Sequence, residues 1–203
     1  AARAAGGGGA ARGGELLDDA FARLGGDRAE PAEIAQATAL GDSRGAETVA
    51  VIAKRRLLLA DLCCRARQLG HTDLGNGHDL ARTAVTQVCL AMAAGSLEAR
   101  DRLPTMLALT SGESALFAEV TRLIDRPPKW MLLKWVSQLL AMLNEPHGVC
   151  VAPMLPQLAK LYPHALYFPF QVSKPVLERR KLAPECARAV SEMRALLHSP
   201  ALT

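Results

Sequence analysis

Aromatic side chains are scarce in this sequence: Phe, Trp and Tyr make up 4% of 203 residues. Runs of Val, Ile, Thr and Tyr are scarcer still, while Ala, Leu, Arg and Glu are plentiful, so strands have little to be built from and almost no sheet is expected. No uninterrupted apolar run reaches the roughly 18 to 20 residues of a membrane-spanning helix, which predicts a soluble chain with no membrane partner. No CxxC spacing occurs and no secretory signal precedes the five cysteines, Cys63, Cys64, Cys89, Cys150 and Cys186. An odd count without those features points to reduced thiols in an intracellular protein rather than a disulfide framework. Charge of one sign is also lacking, with 24 Lys and Arg against 20 Asp and Glu, a net charge of +4. Because the two signs are interleaved, they are expected to form a solvated surface and not a nucleic-acid footprint.

The motifs of catalysis are missing as well. His71, His78, His147, His164 and His198 form no HExxH and no zinc-site spacing with cysteine. Phosphoryl transfer needs a catalytic Asp with a nearby Asn and a metal-binding Asp before Phe-Gly, and neither element occurs. The glycines of the opening AARAAGGGGAARGG follow no strand and precede no Lys-Ser/Thr helix, so they make no phosphate loop. No catalytic, cofactor-binding or metal-binding residue is therefore assigned, and no small-molecule ligand is expected.

What is present is helix-forming sequence, 50% apolar and long enough to bury a sizeable core. Residues 1–14 lack periodicity and read as a disordered lead, and residues 15–44 have room for two short helices, so 1–44 stands apart from 45–203. From residue 45 one long helix runs to Gly70, a residue suited to a left-handed C-terminal cap. Asp79 is placed as N-cap of a helix with Leu80, Ala84, Val85, Val88 and Met92 on one face, while Arg82, Thr83, Thr86 and Gln87 point away. Gly95 ends that helix and Ser96 caps the next, which Pro104 kinks or breaks.

Pro127 and Pro128 open a further predicted helix, KWMLLKWVSQLLAMLN. Its polar positions, Lys134, Ser137, Gln138 and Asn144, make one narrow stripe, which predicts the most buried helix of the chain. HGVCVAPMLPQLAKLY is helical with proline interruptions, and in the last helix Cys186, Val190, Met193 and Leu197 share a face. Leu103-Pro104 with Leu109 recurs as Leu155-Pro156 with Leu161, an echo at helical-pair spacing, so an all-α solenoid of helical pairs is expected. Trp130, Trp135, Tyr162, Tyr167, Phe168 and Phe170 gather most of the aromatic content into some forty residues, as a packed core between helical pairs or as an interface. Cys63 and Cys64, close to Arg65 and Arg67, are the one thiol pair with basic neighbours, against a reading of ordinary core packing.

Several elements in order also resemble a known family. LYPHALYFPFQVS, preceded by the Trp-bearing KWMLLKWVSQLLAML, is similar to the end of the FAT region of the PI3-kinase-related protein kinases. GSLEARDRLPTMLAL and LADLCCRARQL resemble earlier helices of that region, and LERRKLAPECARAVSEMRALLHSPALT resembles the helix beyond the Tyr-Pro-x-Ala element, so the likeness covers residues 57–203. The spacer after Ser173 is shorter than in the family, and residues 1–44 match no part of it. The resemblance implies a TPR- or HEAT-like stack that grips a kinase domain, within a nuclear serine/threonine kinase recruited to broken DNA ends by the Ku heterodimer in non-homologous end joining. ATP and magnesium would then belong to the parent's kinase domain and not to this segment, which by itself is expected to be no enzyme. A stand-alone α-solenoid adaptor that binds a protein partner is the alternative.

Overall fold

The computed structural model describes residues 15, 16, 18–23, 43–73, 79–111 and 113–198. The chain is all-α and of helical-repeat type. The one pairing of extended backbone among the described residues is an isolated antiparallel bridge between Asp73 and Asp79. Of the two short helices expected before residue 45, residues 15, 16 and 18–23 are helical and Phe21 is buried, whereas 1–14 and 31–40 lie outside the described residues. Two compact units divide at Met106 and Leu107.

In the first unit α1 (Ser43–Gln68) and α2 (Leu80–Ala93) pack against each other. Arg56 meets Gln87 far from the connection and Cys63 lies near Asp79 beside it, so the pair is antiparallel. Ile52, Leu57, Leu59, Ala60, Cys63 and Ala66 cover the wide inner face of α1. Nine residues of the 14 in α2 are buried, the highest share of any long described helix.

The ends of these helices are fixed by the residues the sequence singles out. The Asp79 carboxylate accepts the Arg82 amide at 2.6 Å, and Ser96 Oγ accepts the Ala99 amide at 3.1 Å to start α3 (Leu97–Asp101). Gly70 and Gly95 have φ of +90° and +89°, and the amide after each donates to a carbonyl five residues back, His71 to Ala66 and Ser96 to Ala91. This closure satisfies carbonyls that a helix end leaves orphaned, and it needs the left-handed conformation that glycine adopts without strain. Pro104 breaks the next helix as expected: α3 stops at Asp101, and α4 (Leu103–Thr110) begins with the proline in its first turn, where a missing amide costs no helical bond.

The second unit is built from shorter pieces. A 3-10 turn (Ser114–Leu116) leads into α5 (Phe117–Leu123), and a 3-10 helix (Lys129–Trp135) into α6 (Val136–Met142). A further 3-10 helix (Pro146–Cys150) is followed by α7 (Met154–Leu161), α8 (Pro163–Arg179) and α9 (Pro184–Leu197). Pro156 stands in the first turn of α7 as Pro104 does in α4, so the Leu-Pro echo marks equivalent helix starts. α8 packs on α6, α7 and α9, and α9 packs on α7. Phe170 is completely buried, as are Cys186, Met193 and Leu197 from the inner face of α9. Gly148 sits so close to the preceding helix that a Cβ there would lie 2.2 Å from the Met142 carbonyl oxygen.

Three expectations are corrected. KWMLLKWVSQLLAMLN is not one α-helix: its first half has three residues per turn, so the face pattern assumed for 3.6 does not apply and Trp130 turns outward. It is also not the most buried helix, a place held by α2. Gln87 does not point away. It is 5% exposed, and its Oε1 accepts a 2.8 Å hydrogen bond from Arg56 Nη1, which gives two buried polar groups a partner between the helices.

Candidate interaction surface

Among the described residues no group of three or more His, Cys, Asp or Glu side chains comes together as metal ligands would. The five cysteines are free. Burial pushes the Cys63 thiol up to about 12, with Cys64 and Asp79 adding to the shift, and burial pushes Cys150 up to about 11. Burial also raises Cys64, followed by Asp61, and this outweighs the opposing pull of Arg67 and Arg102. The thiolate is the reactive form, so the basic neighbours of Cys63 and Cys64 do not produce an activated nucleophile.

A cavity of about 350 Å³ in the second unit is bordered by Thr121, Arg122, Asp125, Cys150 and Gln157. Its polar groups are engaged by partners close to them in sequence. Thr121 Oγ1 donates to the Phe117 carbonyl at 2.8 Å, Arg122 pairs with Glu119 at 2.7 Å, and Asp125 accepts from Lys129. No two groups converge on a point where a substrate atom would sit, which is what acid–base or nucleophilic chemistry requires.

The six aromatic candidates are distributed unevenly. Phe170 is fully buried; Trp135, Tyr162 and Tyr167 are half-buried; Trp130 is 46% exposed and Phe168 is 75% exposed. Tyr167 and Phe168 pack edge to face with ring centres 5.4 Å apart, and Lys134 Nζ lies 5.1 Å from the Trp135 ring centre. Only Phe170 among them thus contributes a fully enclosed side chain.

The feature that sequence reasoning missed is the second face of α8. PHALYFPFQVS and the residues after it form one helix of 17 residues despite Pro169 and Pro175 inside it. Leu166, Phe170 and Leu177 fill the core from one side. Phe168, Val172 and Val176, spaced by four, lie in a row on the far side, 75%, 79% and 50% exposed, with Pro175 beside them. Each interior proline also removes an amide, so the carbonyls of Ala165 and Gln171 lose their helical donor. The i, i+4, i+8 spacing was the available signal, but two prolines argue against helix in a sequence read alone.

No family model matches the chain. It is similar to proteins of the class of protein-kinase catalytic subunits. In particular it resembles the DNA-dependent protein kinase catalytic subunit. It is 35% identical to that of Dictyostelium discoideum over 79 residues, which are 39% of this chain and 2% of the relative. To that of Gallus gallus it is 31% identical over 90 residues, 44% of this chain and 2% of the relative. To that of Canis lupus familiaris it is 25% identical over 154 residues, 71% of this chain and 4% of the relative. The chain therefore spans a few per cent of the length of the curated relatives it matches. No helix among the described residues is long and apolar enough to cross a membrane.

Proposed function

We propose that this chain is a helical scaffold segment of a DNA-dependent serine/threonine protein kinase acting in double-strand-break repair by non-homologous end joining. The observation that carries the reading is the similarity to the same kinase catalytic subunit in several species from slime mould to mammals. In this reading the segment supports and positions the kinase domain by packing and lies beside the remaining helical repeats of the parent. ATP and magnesium act in the parent's kinase domain. The parent works in the nucleus with the Ku heterodimer at DNA ends.

The physical logic is that of a stack in which each helical pair touches mainly its neighbours, so a displacement at one end biases packed elements further along. Residues in such a segment work through volume and register. The buried Arg56–Gln87 bond supports this view, because the Nη1–Oε1 contact forms only where α1 and α2 bring these two positions together. The outward row of α8, exposed Trp130 and half-buried Trp135 are apolar area for neighbouring elements to cover.

The test is immunoprecipitation of the natural polypeptide from its own nuclei with an antibody against residues 43–198. A product of several thousand residues that phosphorylates Ser/Thr peptides only when blunt DNA ends are added, and that brings down Ku, supports the reading. A 21.6 kDa product with neither property overturns it in favour of a stand-alone adaptor.

A further inference from the structure

The outer face of α8 has an apolar row and a charged end that no other element among the described residues covers. Phe168, Val172 and Val176 continue, at the next helical turn, into Arg179, the last residue of the helix, with Arg180 and Lys181 following beyond it. All three cations are exposed, and none pairs with a carboxylate among the described residues. Of the two acids close by in sequence, Glu178 is turned aside to Arg194 of α9, and Glu185 lies in the first turn of α9, four residues beyond Lys181. No acidic residue lies on the row itself: stepping along it by three and four gives Ala165, Phe168, Val172, Pro175, Val176 and Arg179.

We infer that this face is a docking surface for an amphipathic α-helix of a partner segment whose apolar seam lies on Phe168, Val172 and Val176 and whose acidic residues meet Arg179, Arg180 and Lys181. The assignment rests on charge complementarity and on spacing. An α-helix presenting apolar residues at i, i+4 and i+8 matches a row of the same pitch, and helix against helix is the ordinary way such rows are covered. Unpaired arginines at one end attract carboxylates, orient the incoming helix and reject a basic one. The surface stands on this chain's own residues, whichever polypeptide carries it.

The experiment places p-benzoylphenylalanine at Val172 in the natural full-length polypeptide in its own cells, irradiates, and sequences the peptide joined to it. Capture of a helical segment rich in Asp and Glu, with yield falling at least tenfold in the R179E/R180E background, is the expected result. Should charge reversal disturb folding, seen as a changed circular-dichroism melt, the same yield is followed in lysate from 50 to 500 mM salt, where a loss of fivefold or more is expected. Capture of the Phe168–Val176 segment of a second copy, of lipid or of nucleic acid overturns the inference. So does no capture at all, or a yield indifferent to both charge reversal and salt.

Discussion

The two units of this chain punctuate their helices in different ways. In the first, α2 and α3 start on the side chains of Asp79 and Ser96, and α1 and α2 stop on Gly70 and Gly95. In the second, no side chain caps the start of α5, α6, α7, α8 or α9, while Pro163 and Pro184 open α8 and α9. A side-chain cap adds a hydrogen bond to an orphan amide, whereas a proline at the first position removes the orphan and pre-sets φ. The first unit consequently holds its helix ends by local bonds that can be deleted singly. The second relies on packing between short elements, so its weak points should be buried volumes.

Four measurements sharpen or break that contrast, in order of expected size. Phe170→Ala removes a fully buried ring from α8 and should lower the unfolding free energy by about 3–5 kcal/mol in urea titrations. A loss below 1 kcal/mol would show that the second unit is not held by its core. Gly148→Ala forces a Cβ against the Met142 carbonyl and should cost about 1–3 kcal/mol, read as a lower melting temperature. An unchanged melt would mean the two helices can separate freely.

The third measurement varies pH. Burial raises the Cys63 and Cys150 thiols above their value in the unfolded chain, so the native state keeps protons that the unfolded state releases. Their contribution is complete below pH 9 and is lost as pH climbs toward 11 and 12, at a limiting slope of about 1.4 kcal/mol per pH unit per thiol. Cys63→Ala should flatten this alkaline decline in the first unit and Cys150→Ala in the second. A decline equally steep in both variants would assign it to other groups. The smallest effects are at the helix starts: Asp79→Ala should cost about 1 kcal/mol and Pro184→Ala under about 0.5 kcal/mol. Equal losses would erase the difference between the two kinds of start.

The first unit was the more legible in sequence, and its capping explains why. Asp79, Gly70, Gly95 and Ser96 act within a few residues of themselves, so local chemistry places them correctly. Gln87 was misplaced because its reason for being buried is Arg56, a residue 31 positions away that spacing on α2 cannot reveal. In the second unit, Lys129–Trp135 winds more tightly than the period used to read it, which displaced the tryptophans from the expected core. α8 is not legible in sequence because Pro169 and Pro175 contradict helix locally, and packing on α6, α7 and α9 overrides them. Of the aromatic candidates, Phe170 and Phe168 are two residues apart and on opposite faces, a distinction available only once the segment is known to be helical.

The crowding at Gly148 has a genetic counterpart. Any single-base change in a glycine codon that alters the residue installs a Cβ, from alanine through valine, serine, aspartate or arginine. The Met142 carbonyl blocks that first carbon and not what lies beyond it, so the position has no conservative neighbour in the code. A library of all point variants of this gene should therefore show codon 148 depleted among the most stable clones, although the residue sits within a five-residue 3-10 helix.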